Sequence, residues 1–134
     1  MPDSFYDTNV LLYLVSQNPE KADRVEELVR QGGAISVQVL NEAANVARRK
    51  MKMGWGETHE FLGLLRGLLT VAPLTIETHE LGLEYAERYR FSTYDAMIAA
   101  AAALAGCATL WSEDMQDGMR VGATLKVVNP FARS

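Results

Sequence analysis

The chain has one cysteine, Cys107. That excludes an internal disulfide framework and fits a reducing compartment such as the cytoplasm. It has only two histidines, His59 and His79, with no zinc-ligand spacing between them or to Cys107. Both fall on amphipathic helical stretches and read as surface or helix-packing residues. Long apolar runs are missing too. The longest, Met97 to Ala105, is mostly alanine and far too short to span a bilayer. The start, Met1-Pro2-Asp3, lacks the basic region of a secretory leader, so none is expected. Cations are outnumbered, with 13 Lys and Arg against 17 Asp and Glu, a formal charge of −4. Such a chain does not attract nucleic acid at long range. Acting on RNA would need a local basic strip or a bound metal. One strip is present, Arg48-Arg49-Lys50-Met51-Lys52.

With 134 residues and 49% apolar content, the chain can bury a real core unaided. No repeat, low-complexity tract or linker divides it, so residues 1–134 are expected to form a single domain. Strand and helix signals alternate. Ser4 to Tyr6 reads as a buried strand, and Thr8-Asn9 opens a helix through Leu14. Asn18-Pro19-Glu20 starts an amphipathic helix that should stop at Gly32-Gly33. Ala34-Ile35 is a second strand, after which Ser36 caps a helix that Gly54-Trp55-Gly56 should break. Thr58 to Leu69 is a leucine-rich helix, Thr70 to Ala72 a strand, and Thr75 to Arg90 a helix. Ser92 then opens an alanine-rich helix from Tyr94 to Ala105. Ala108 to Trp111 and Leu125 to Val128 complete five strands. Strands separated by helices, without hairpin signals, predict an α/β fold with a parallel sheet covered on both faces.

Such a fold gathers its strand C-termini along one edge. Four acids fall where strands end or the adjoining helices begin. Asp7 follows the first strand and Glu42 lies one turn into the helix after the second. Asp95 heads the alanine-rich helix, and Asp114 follows the fourth strand with Asp117 close behind. Each has an ordinary explanation. Asp7 is good N-cap material, and Glu42 suits a helix N-terminus. Ser92-x-x-Asp95 mimics a capping box, and Asp114 sits in a polar loop. Four such coincidences along one sheet edge favour a shared role. An all-oxygen ligand set points to Mg²⁺ or Mn²⁺ rather than zinc. Glu42, Asn45, Arg49 and Lys52 share one helix face, which reads either as solvated surface or as the wall of an active site. The basic strip reads either as a helix end favourable to the dipole or as phosphate contacts from Arg48, Arg49 and Lys52.

Two other small α/β classes fit poorly. A phosphoaspartate receiver needs an acid ending the third strand, where Ala72-Pro73-Leu74 stands. A haloacid-dehalogenase-type phosphatase needs Asp-x-Asp where Asp7-Thr8-Asn9 stands.

In order and spacing, the motifs Asp7-Thr8-Asn9, the Glu42 helix, Ser92-x-Tyr94-Asp95-Ala96 and Trp111-Ser112-Glu113-Asp114 resemble those of PIN-domain proteins, specifically the VapC-type ribonuclease toxins. The resemblance runs from Phe5 to Phe131. It implies a three-layer α/β/α fold with a central five-stranded parallel sheet. It also implies a Mg²⁺- or Mn²⁺-dependent endoribonuclease, for which in-line attack by metal-activated water should leave a 5′-phosphate and a 3′-hydroxyl. Asp7, Glu42, Asp95 and Asp114 match the family's catalytic, metal-binding quartet. Asp117 matches a position that is acidic in some members. Thr8, Asn9 and Ser112 match supporting polar neighbours. The resemblance further implies a homodimer and a cognate antitoxin protein; the apolar helix from Phe61 to Leu69 reads either as core packing or as a groove shared with a second copy or an antitoxin segment. The rival expectation is a PIN-like RNA-binding or scaffold module without turnover.

Overall fold

In the computed structural model, which describes residues 3–132, six strands form one sheet. The leader reading at Met1-Pro2 lies outside the described residues. The elements are β1 (Ser4–Tyr6), α1 (Thr8–Leu12), a 3₁₀ turn (Tyr13–Val15), α2 (Pro19–Arg30), β2 (Ala34–Ser36) and α3 (Val37–Arg49). They continue with α4 (Trp55–Leu68), β3 (Thr70–Ala72), α5 (Ile76–Tyr89), α6 (Thr93–Leu104), β4 (Thr109–Trp111), β5 (Arg120–Val121) and β6 (Leu125–Val128). The sheet order is β3-β2-β1-β4-β6-β5. Five strands run parallel, as expected, and helices flank the sheet in a three-layer α/β/α arrangement. The sixth, β5, is a two-residue antiparallel edge strand on β6. It is too short to leave a periodic signal in the sequence.

The chain winds outward from β1 in two directions, through β2 to β3 on one side and through β4 to β6 on the other. The crevice beyond the C-terminal ends of β1 and β4 is therefore the topological switch point, where α/β sheets open a cleft. Register fixes the two ends side by side. Tyr6 pairs with Trp111, the Asp7 amide donates to the Trp111 carbonyl at 2.9 Å, and the Ser112 amide donates to Val128 at 3.0 Å.

Packing around β1 is close. Phe5 and Tyr6 are essentially inaccessible. The Tyr6 hydroxyl donates to the carbonyls of Leu28 and Gly32, each at 2.9 Å, and so ties the end of α2 to the sheet. Burial pushes that phenol up to about 12. Gly33 has φ +141°, and a Cβ there would lie 2.5 Å from the Tyr6 ring and 2.9 Å from the Ser4 carbonyl, so only glycine fits. The alanines of α6 are buried from Ala96 to Ala102. Their small side chains let α6 lie close to α5 and β2.

One helix boundary departs from the sequence reading. α3 ends before Gly54, but α4 starts at Trp55 and not at Thr58, because the Gly54 amide donates to Glu57 at 3.1 Å and caps the helix there. The side chain at the third helical position did what the glycine could not.

Candidate metal centre and its basic flank

Asp7 is held by its place in the chain. It is the N-cap of α1, its Oδ1 accepting from the Thr8 amide at 2.7 Å. Its Oδ2 accepts from the Ser112 hydroxyl at 2.8 Å. Ser112 is itself fixed, since its Oγ also accepts from the Met115 amide. Capping and site geometry thus coexist in one residue. Asp7 is 3% exposed and Ser112 is fully buried. Burial raises the Asp7 carboxyl to about 7; the Ser112 hydrogen bond opposes this, and the charges of Asp95 and Asp114 add to it.

Glu42 projects from α3 toward the same edge. Its Oε1 accepts from the Thr8 hydroxyl at 3.0 Å and its Oε2 from the Gln38 amide at 2.9 Å. Gln38, 8% exposed, also donates to the Tyr94 carbonyl at 2.8 Å. One side chain therefore joins α3 to the mouth of α6. Asp95 lies in the first turn of α6, where Ser92 accepts its amide at 3.2 Å. Burial raises the Asp95 carboxyl, Ser92 opposes the rise, and the charges of Asp114 and Glu42 reinforce it. Asp114 accepts from the Asn9 side chain. Asp117 faces elsewhere: its Oδ1 accepts from the Asn129 amide at 2.8 Å, and it is not among the charges that shift Asp7 or Asp95.

Four of the acids thus influence one another: Asp7 with Asp95 and Asp114, and Asp95 with Asp114 and Glu42. None of the four takes part in an ion pair among the described residues. Nor do three acids close into a ready-made cation cage there. Glu42, Asp7 and Asp114 are each hydrogen-bonded to protein donors instead. The donor set is all oxygen, and a carboxylate as buried as Asp7 is poorly tolerated as an ion without a counter-charge. These residues fit a hard divalent cation.

The loop bearing Asp114 is clamped. Glu113 accepts from the Tyr13 hydroxyl and from Lys21. Lys21 lies 4.7 Å from the Tyr13 ring centre and 4.6 Å from that of Phe131. Burial works against the Glu113 charge, but the Lys21 and Tyr13 hydrogen bonds outweigh it and hold the carboxyl low. Sequence reasoning missed Gln38 and this clamp. The i,i+4 spacing of Gln38 and Glu42 was the available signal for the first. The clamp joins residues remote in sequence and left no signal.

The basic strip is split. Arg48 donates to the Met53 carbonyl at 2.7 Å and stacks over Trp55 at 4.2 Å, which makes it a structural bridge between α3 and α4. Arg49, Lys50 and Lys52 are exposed.

A family model described as PIN domain matches residues 4–117. Among solved structures, a toxin–antitoxin complex from Klebsiella pneumoniae aligns with TM-score 0.74 and 22% identity, over 96% of this chain and 98% of that one. VapC20 of Mycobacterium tuberculosis, described as a sarcin–ricin loop cleaving toxin, aligns with TM-score 0.68 and 19% identity, over 83% and 91%. VapBC2 of Rickettsia felis, bound to a fragment of its promoter DNA, aligns with TM-score 0.66 and 21% identity, over 92% and 96%. At these identities the likeness is one of fold. No curated protein matches the chain in sequence.

Proposed function

The chain belongs to the PIN-domain family, and from that premise we propose that it is a Mg²⁺- or Mn²⁺-dependent endoribonuclease, the toxin of a toxin–antitoxin pair. The observation that carries the reading is Asp7: a nearly inaccessible carboxylate beside two other acids, with no cationic side chain paired to any of them among the described residues. Asp7, Glu42, Asp95 and Asp114 would hold the metal. When bound, the cation would activate water as the nucleophile and stabilise charge on the phosphoryl group.

The chain's own residues set the stage for that chemistry. Ser112 and the Thr8 amide fix both Asp7 oxygens, so this ligand needs no reordering to serve as an anchor. Thr8 and Gln38 hold Glu42 by one bond to each oxygen. Asn9 and the Glu113 clamp restrain Asp114. Asp117 stays outside the proposed ligand set, serving the turn at Asn129. Arg49 and Lys52 are the proposed backbone contacts; Arg48 acts through Trp55.

For partners, the reading draws on neighbours described as toxin–antitoxin complexes. Leu64 and Leu68 of α4 are exposed. They border a groove of about 410 Å³ with Leu14 and Val29, which suits an antitoxin segment or a second copy in a homodimer. Among the described residues no helix is long and apolar enough to cross a membrane. With a single cysteine in its sequence, the chain is proposed to work in the cytoplasm as a single domain.

The test is cleavage of RNA by purified protein with Mn²⁺, with excess chelator, and after Mn²⁺ is restored. Cleavage that stops and returns supports the reading. Cleavage that persists in chelator removes the metal, and RNA binding without turnover in Mn²⁺ leaves a binding or scaffold module.

A further inference from the structure

We propose that Arg120 and Lys126 form a phosphate-binding pair on the open face of the sheet, a second anchor for the RNA chain outside the acidic cleft. This rests on the nuclease reading above and adds a site in which the acids have no part. Register sets the pair. Arg120 of β5 stands directly opposite Lys126 of β6. Lys126 is level with Thr109 of β4, and Thr109 with Ser4 of β1. Residues level with one another point to one face of a sheet, so Ser4, Thr109, Lys126 and Arg120 make one row. The next row on that face, Tyr6 and Trp111, lies against α2. The Tyr6 hydroxyl bonds the end of that helix, and Arg24 lies 6.0 Å from the Trp111 ring centre. At the other end of the first row both cations are exposed.

Two like charges in directly opposed positions, with Cβ atoms roughly 5 Å apart, destabilise the ribbon that carries them. An anion between them relieves that repulsion, and none of the chain's own acids supplies it. Neither Arg120 nor Lys126 takes part in an ion pair among the described residues, and Asp3, just before Ser4 at the far end of the row, makes none either. One charge is enough to keep an edge strand from pairing with another chain, so edge protection does not account for the second. The ribbon is also held in place. Val121 and Leu125 are buried on its inner face. The Gly122 amide at its turn donates to the Tyr89 hydroxyl at 2.8 Å. Asp117, outside the proposed ligand set, closes its open end by accepting from the Asn129 amide. A guanidinium fork and an ammonium side by side suit the two free oxygens of a phosphodiester. By strand spacing and rise, Arg120 lies roughly 12 Å along the sheet from the end of β4, which leads into the Asp114 loop. A few nucleotides cover that span, so a strand held at the acids can reach the pair.

The probes are two single-stranded RNAs of mixed sequence, of about 4 and about 16 nucleotides, and a poly-aspartate peptide. Binding of the long RNA and the peptide is read in chelator across a salt series, and cleavage of both RNAs in Mn²⁺ as KM and kcat. The double variant Arg120→Gln, Lys126→Gln should weaken the long RNA by roughly ten-fold and lower its salt slope by about 1.4, the share of two phosphates on a single strand. In Mn²⁺ its KM should rise for the long RNA alone, with kcat unaltered for both. Arg120→Lys should keep most of the affinity. The denaturant midpoint of the double variant should match or exceed that of the wild type, because a repulsion is gone. The anchor is overturned by an unchanged affinity or salt slope, by absence of RNA binding in the wild type, by an equal rise in KM for the short RNA, or by a lowered midpoint. Pair-dependent binding of poly-aspartate with RNA affinity intact reassigns the cations to an acidic protein partner and also overturns it. Pair-dependent binding of the long RNA without cleavage in Mn²⁺ upholds the phosphate site and retires the nuclease reading.

Discussion

The two walls of the acidic cleft are built by opposite means. The inner wall, at the ends of β1 and β4, is buried: Asp7 and Ser112 are almost inaccessible, and each of their side-chain oxygens is hydrogen-bonded. The outer wall, the polar face of α3, is open, with Asn41, Asn45 and Arg49 exposed. Glu42 sits at the seam and is held from both sides, by Thr8 of α1 and by Gln38 of its own helix. Burial fixes position and amplifies charge, because little water remains to screen it. Exposure leaves position soft and charge weak, which suits contacts that must follow a variable ligand. Under the proposed function the buried wall would serve the reaction chemistry and the open wall the contacts to substrate.

The largest expected effect tests the inner wall. Asp7→Asn should lower the rate of RNA cleavage by about a thousand-fold or more, a loss typical of removing an essential transition-state contact. The same variant should leave the metal-free protein as stable or more so, by ~0.5–2 kcal/mol in denaturant unfolding, because a repelled buried charge is gone. A variant that melts far lower would make Asp7 a structural cap and dissolve the contrast between the walls.

Next comes the cation itself. Mn²⁺ at about a hundred times its dissociation constant should stabilise the wild type by about 2.7 kcal/mol through binding the folded state alone. Thermal unfolding reads this directly, and Asp7→Asn should abolish the shift.

Proton linkage sharpens the same point. The folded Asp7 carboxyl titrates at about 7, above its ordinary 3.8. Between those values the folded protein keeps a proton that the unfolded chain has lost. Metal-free stability should therefore be fullest near pH 4 and decline as pH rises through about 7, by an upper bound of about 4 kcal/mol from this group. Asp7→Asn should flatten that slope in urea titrations run across the range.

Removing the inner wall's scaffold should cost less. Ser112→Ala leaves an Asp7 oxygen and the Met115 amide without their partner. A loss of about 1–3 kcal/mol in unfolding free energy is expected. The outer wall should yield the smallest change. Replacing Arg49 and Lys52 with Ala should leave folding unaltered and reduce the salt slope of RNA binding by about one for each phosphate no longer neutralised. An unaltered slope would return both cations to plain surface.

The sequence carried the alternation of strand and helix because apolar periodicity and end signals are local. Asn18-Pro19, Ser36 and Ser92 all cap where they were expected to. It missed β5, whose pairing on β6 depends on a partner and not on its own two residues. It started α4 at Thr58 instead of Trp55, because the cap at Gly54 depends on the Glu57 side chain.

For the site, sequence alone determined which acids stand at the sheet's edge, since parallel topology sends strand ends to one side. Only the tertiary structure decided how they differ. It buried Asp7 behind Ser112, gave Glu42 to Thr8 and Gln38, and turned Asp117 away to Asn129. It also took Arg48 out of the open basic strip and laid it on Trp55. Burial and partnership are set by neighbours far off in the chain, and no local pattern encodes them.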